Sequence, residues 1–267
     1  MFGTILTVTS GKGGVGKTTA AGNLAISLAK LDQRVACIDL DIGLRNLDLI
    51  LGLENRVVYD LFDVIEGRVR WKQALVRHKQ FENLFLLAAS QRREKADLTE
   101  KQVVRLCQDM RSHFDFILID CPAGIEEGFN NAIAPATEIL IVATPEVSSL
   151  RDARRVVELL EITNKPRPRL VLNRVRPAMV NRGDMLSVSD AIELLDIELV
   201  GIILEDQAVI ANTNIGVPVT LSRKSKAGAA FDSIARRLLG ESIPLESIES
   251  METISWKGRL ATMLGRA

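Results

Sequence analysis

SGKGGVGKTT, at Ser10–Thr19, contains G-x-x-x-x-G-K-[ST] from Gly11 to Thr18, the spacing of a phosphate-binding loop. It follows a short apolar, β-branched run, ILTVT at Ile5–Thr9. It leads into Thr18–Leu31, where Ala20, Ala21, Leu24, Ala25, Leu28 and Leu31 recur at helical spacing. A glycine-rich turn between a buried strand and a helix is built to hold phosphate. Gly13, Gly14 and Gly16 let backbone N–H groups converge, and the helix dipole adds positive potential. Lys17 is expected on the outer phosphates and the Thr18 hydroxyl on Mg²⁺, with Gly11, Val15 and Thr19 completing the binding loop. One lysine is left over: Lys12, five residues before Lys17.

Further along the chain the apolar runs repeat: VACID (Val35–Asp39), LFLLA (Leu84–Ala88), FILID (Phe116–Asp120), ILIVA (Ile139–Ala143), LVLN (Leu170–Asn173) and LVGII (Leu199–Ile203). Near-continuous hydrophobicity without in–out alternation marks strands buried on both faces of a parallel sheet. Helical patterns at Lys101–Met110 and Arg151–Ile162 lie between them. Alternating strands and helices predict an α/β fold: one doubly wound, mostly parallel sheet with helices on both faces, and ligands beyond the carboxyl ends of the strands. Two strands end in acids that fit such a site. FILIDCPAG places Asp120 at a strand end as a carboxylate for Mg²⁺, followed by Gly124, whose N–H is available to a γ-phosphate. CIDLDIG places Asp39 and Asp41 two apart, on one side if the strand continues; one supports the metal and the other orients an attacking water.

Composition narrows the class. Of 267 residues 47% are hydrophobic, enough for a sizeable core, and 34 Lys plus Arg balance 34 Asp plus Glu, so any attraction to nucleic acid or membrane must be local. Cys37, Cys107 and Cys121 form no CxxC pair, which points to buried thiols in a reducing, cytosolic setting. No signal-peptide pattern and no apolar run near the spanning length of about 18 residues is present, so a membrane role means lying on the surface. His78 and His113 read as surface or capping residues.

KGGVGKTT, together with VACIDLDIGLRNLDLILG, IDCPAG, TPEVSSLRDA and NRGDMLS, resembles the deviant-Walker-A branch of the P-loop ATPases, from about Ile5 to the C-terminus. The resemblance implies a slow ATPase acting as a switch, with ATP and Mg²⁺ as cofactors and a homodimer formed with ATP. It gives Lys12 a role across the dimer on the partner's phosphates, which explains the surplus lysine: a second cation arrives only when ATP brings two copies together. It further implies Asp41 for the hydrolytic water, Asp39 and Asp120 with Thr18 for the metal, Asn46 in a nucleotide-sensing loop and Asn173 on the adenine. Septum placement follows as the expected task, through a division-inhibitor protein and an ATPase-stimulating regulator, with partner contacts including Ser148–Asp152. LEDQ at Leu204–Gln207 departs from the family's proline-led stretch and leaves the base contacts at Glu205–Gln207 open.

An organisation of three parts is expected: an ATPase domain over 1–240, an acidic linker over 241–252 and an amphipathic helix over 253–267. In WKGRLATMLGRA, Trp256, Leu260, Met263, Leu264 and Ala267 share one arc at helical spacing, bordered by Lys257, Arg259 and Arg266. An apolar stripe flanked by cations suits an anionic membrane surface, and it places the protein in the cytoplasm, peripheral on the inner face of the cell membrane. Two other readings share the fold. A DNA-segregating ATPase would need a basic stripe, which zero net charge and the cationic tail disfavour, so no nucleic acid is expected. A metabolic ATP-using synthetase would need a small-substrate pocket.

Overall fold

The structure, a computed structural model, describes residues 2–222 and 224–245. Eight strands form one sheet: β1 (Thr4–Thr9), β2 (Val35–Asp39), β3 (Val76–Arg77), β4 (Leu84–Leu87), β5 (Phe116–Asp120), β6 (Glu138–Ala143), β7 (Arg169–Val175) and β8 (Glu198–Leu204), in the order β3-β4-β2-β5-β1-β6-β7-β8. Every neighbouring pair is parallel except β3 with β4. The reason for the unbroken apolar runs is visible in the core. Ile5, Ile117 and Ile119 enter one buried cluster, while Leu6, Val8, Phe116 and Leu118, their neighbours in sequence, enter the other. Successive side chains point to opposite faces, so a sheet covered on both must be apolar at every position.

The strand order decides where a ligand binds. β1 pairs with β5 on one side and β6 on the other; the chain leaves β1 toward β2 on the β5 side and crosses from β5 to β6 on the other, which opens a crevice at the carboxyl end of β1. The Ser10–Thr19 loop sits in that crevice, leading into the helix Lys17–Lys30. The other expected helices span Glu100–Met110 and Val147–Ile162, the latter a turn longer than the periodicity indicates. β3 is an addition to the expected strands. With two residues and a charged second position, it lacks the run length that reveals a strand, and it exists only because the polar turn before β4 folds back antiparallel on it.

Helix Lys226–Leu238 closes the domain against β8. Gly201 makes that approach possible, since a Cβ there would lie 2.2 Å from Ile234 Cγ1. After Gly240, with φ +87, residues 241–245 carry neither helix nor strand. The expected amphipathic helix over 253–267, and the linker beyond 245, lie outside the described residues.

Asp206 ties the end of the sheet together. It caps the helix Gln207–Thr213 through Ala208 N at 2.8 Å, and its Oδ2 accepts from Ser225 Oγ at 2.7 Å and Ala227 N at 3.3 Å, at the start of Lys226–Leu238. Partial burial works against its charge, but these donors outweigh it and hold the carboxyl below its usual value of 3.8. Asp206→Ala is therefore expected to cost about 2 kcal/mol in urea unfolding, a double cap lost. Because the folded pKa is lowered, the wild-type advantage is complete at neutral pH and disappears only as pH falls below 3.8. An undiminished advantage below that pH, or no cost at neutral pH, would contradict the assignment.

Candidate functional site

The phosphate loop owes its shape to its glycines. Gly14 and Gly16 hold φ of +79 and +95, which a side chain resists. Gly11 lies against the helix Val147–Ile162, where an added Cβ would stand 2.3 Å from the Asp152 carbonyl. Asn173, expected on the adenine, is buried at the end of β7 with its amide on the loop: Nδ2 donates to the Val15 carbonyl at 2.8 Å, and Oδ1 accepts from Arg174 N at 2.9 Å. It therefore supports the phosphate loop directly.

Below the loop the expected charges converge. Lys17 Nζ lies 3.4 Å from Asp120 Oδ1, with side-chain exposures of 7% and 0%. Burial pulls the Lys17 pKa down, but Asp120, with Cys121 and Asp41 behind it, more than restores it, and the net direction is upward. Burial drives Asp120 upward, partly offset by Lys17. Asp39, at the end of β2 and beside Asp120 in register, is also raised, by burial first and by the Asp120 charge second. The strand does not continue to Asp41. β2 stops at Asp39, whose carboxylate instead holds the following loop, accepting from Asp41 N at 2.9 Å and Leu47 N at 3.2 Å. Asp41 remains buried beside the cluster. Gly124 sits in the loop after β5 at φ +94 with open space where a Cβ would stand, and Asn46 precedes the short helix Leu47–Ile50.

A hard divalent cation fits this donor set. Thr18 hydrogen-bonds the buried Asp120 carboxyl, and the Thr18 hydroxyl and two carboxylates are oxygen ligands of the kind Mg²⁺ takes alongside phosphate and water. Among the described residues no cluster of three or more His, Cys, Asp or Glu side chains forms a metal cage. Beside the loop, a cavity of about 160 Å³ is bounded by Gly16, Asn173, Arg174, Glu205, Val209 and Ile210. Glu205 is paired with Arg176 and Asp206 is spent on the two helix caps, so at this cavity both carboxylates already have protein partners. Sequence pattern did not reveal the Arg176–Glu205 pair or the Asp206–Ser225 bond, because each joins positions about 20 to 30 apart. Cys121 is buried and accepts from Thr9 Oγ1 at 3.4 Å.

Lys12 is turned the other way. Its Nζ donates to Ser148 Oγ at 3.0 Å and lies 3.7 Å from Glu146 Oε2, at the start of Val147–Ile162, with the side chain 42% exposed.

A strand, glycine loop and helix at the switch point of a parallel sheet, with carboxylates ending the adjacent strand β5 and its own neighbour β2, define a P-loop nucleotide hydrolase. A family model described as an AAA domain matches residues 3–171. The septum site-determining protein MinD of Bacillus subtilis is 45% identical over 97% of this chain and 96% of its own length. Among solved structures, the MinC:MinD cell division protein complex of Aquifex aeolicus superposes with a TM-score of 0.86 at 47% identity, covering 91% of this chain and 99% of that one. MinD of Pyrococcus horikoshii complexed with Mg-ADP gives 0.80 at 29% over 90% and 99%. The chain belongs to the MinD family of septum site-determining ATPases. The DNA-segregating reading has less support than this one.

The buried carboxylates generate a prediction. Burial and the Asp120 charge push the Asp39 carboxyl up to about 8, so Asp39→Asn, which keeps an acceptor for Asp41 N, removes a buried charge only above that pH. At pH 9 without nucleotide the variant should melt a few degrees, about 2–4 °C, above the parent, and the extra stabilisation given to the parent by Mg-ADP over ADP alone should be lost. A nucleotide-free variant melting below the parent would show that Asp39 is structural.

Proposed function

We propose that this protein is a membrane switch in which ATP closes two copies face to face, with Lys12 of each copy reaching the triphosphate held by the other. ATP hydrolysis and septum placement follow from membership of the family. What supports the dimer is the direction of Lys12: a phosphate-loop lysine that rests on Ser148 and Glu146 at a partly exposed rim, while Lys17 alone serves the cradle from below.

On this reading Lys17, Gly13, Gly14 and Gly16 bind the phosphates, Gly124 offers its N–H to the γ-phosphate, and the base enters the cavity beside Asn173. Thr18, Asp39 and Asp120 hold Mg²⁺, which when bound neutralises phosphate charge and polarises the leaving oxygen. Asp41 accepts a hydrogen bond from the attacking water, orienting it in line with the γ-phosphate, and burial keeps other water out. Loss of the γ-phosphate removes the charge that Lys12 spans the seam to meet, and the two copies part.

The sequence pattern of 253–267 supplies the membrane element, with Trp256, Leu260, Met263 and Leu264 for the acyl boundary and Lys257, Arg259 and Arg266 for anionic headgroups. A single such helix binds feebly; paired on one dimer, the second insertion is intramolecular. No helix among the described residues is long and apolar enough to cross a membrane. The solved complex of an A. aeolicus relative with MinC supports a MinC-like division inhibitor as partner, recruited to the inner face of the cell membrane. A MinE-like stimulator is the regulator the family pattern implies.

Lys12→Ala should remain monomeric in light scattering with ATP while binding ADP within about threefold of the parent; an ATP-dependent dimer of the variant would sink the seam. Deleting 256–267 should abolish ATP-dependent pelleting with anionic vesicles and leave dimerisation intact. Pelleting undiminished by the deletion would overturn the role given to the tail.

A further inference from the structure

Two turns that bear no functional side chain meet backbone to backbone. Gly52, after the helix Leu47–Ile50, has φ +64, and Gly216, after the helix Gln207–Thr213, has φ +63. A Cβ added at Gly52 would lie 2.3 Å from the Gly216 carbonyl oxygen, and one at Gly216 would lie 3.3 Å from Gly52 Cα and 3.6 Å from the Leu49 carbonyl oxygen. Main-chain atoms cannot swing aside as a side chain does, so only glycine at both positions permits this approach. Glu54 Oε2 is buried at the same junction without a donor in hydrogen-bond geometry.

Each turn is the far end of an element whose near end touches the nucleotide site. Helix Gln207–Thr213 contributes Val209 and Ile210 to the cavity beside Gly16 and Asn173. Helix Leu47–Ile50 begins with the N–H that holds Asp39 Oδ2, and it packs on the phosphate-loop helix where a Cβ at Gly22 would meet Ile50 Cγ2 at 2.5 Å. Two short helices and one glycine pair therefore connect the cavity to Asp39 by a route outside the phosphate loop.

We propose that the Gly52–Gly216 contact couples filling of that cavity by the nucleotide base to the setting of the Asp39–Leu47 loop, making both glycines positioning residues for hydrolysis. The proposal rests on the cavity being the base site. A base seated against Val209 and Ile210 fixes the helix that carries them. Because main chain bears on main chain at its far end, the helix passes its position to Leu47 and Asp39 rather than absorbing it in rotamer changes. The triphosphate reaches the same carboxylates from the other side, so loop setting reports a complete nucleotide.

The test compares Gly52→Ala and Gly216→Ala in the full chain with Gly67→Ala, whose φ of +75 imposes similar strain with nothing within 4 Å of the added Cβ. Relative to that control, Gly52→Ala should lower kcat about fivefold or more with KM for ATP within about threefold, and the double variant should fall no further than the single one. A kcat within about twofold of the control overturns the proposal. Should the variants fail to fold, hydrogen exchange on the parent decides: ADP should slow exchange over residues 47–53 about threefold more than inorganic tripolyphosphate. Equal protection by both, with ADP bound more tightly, refutes the coupling and spares the base site. Equal affinity of ADP and tripolyphosphate removes the base site, and this proposal with it.

Discussion

Lys17 and Asp120 lie 3.4 Å apart with almost no water around either. Burial of an ion pair is tolerable only when the geometry and remaining partners compensate, and here they compensate incompletely: Asp39 stands beside Asp120 in the sheet register, and burial raises both carboxyls. Without nucleotide, burial thus opposes the charging of both carboxyls under the phosphate loop. On the proposed reading, a metal bound with a triphosphate would favour their charged forms and draw Lys17 toward phosphate. Ligand binding and the stability of this end of the sheet are one quantity, as linkage requires.

The Asp39 carboxylate also holds the loop leading to Asp41 and Leu47. If it takes the metal as proposed, changes at the phosphates would reach a backbone segment beyond them, and Leu44 and Ile125, both in loops at the carboxyl ends of these strands, are exposed apolar residues. The rim on which Lys12 rests, with Glu146 and Ser148, belongs to a helix whose backbone lies against Gly11. Loop, rim and carboxylates share few degrees of freedom, which is what a switch needs to convert one phosphate into a change of surface.

Much of this was legible in the residues. The strands announced themselves because a doubly covered sheet needs every position apolar, and the phosphate loop because only glycine allows the φ values of Gly14 and Gly16. Asp39 and Asp120 were legible as acids ending apolar runs. β3 was not, since two residues carry no periodicity. Asn173 was legible as a site residue, but its amide bonds the Val15 carbonyl, a contact across 158 positions that no local pattern encodes. The double cap at Asp206 and the Arg176–Glu205 pair escaped for the same reason, and the resting place of Lys12 depends on how a distant helix lies against Gly11. Local chemistry writes itself into the sequence; contacts made by topology do not.

The claim at the centre is that Lys12 acts on the neighbouring copy's nucleotide. Hydrolysis by a mixture of Lys12→Ala and Asp41→Ala chains, each inactive alone, tests it most directly. In a mixed pair the Lys12→Ala copy keeps its own Asp41 and receives Lys12 from its partner, so the account predicts that mixing restores ATP turnover. A mixture as inactive as its components would contradict it.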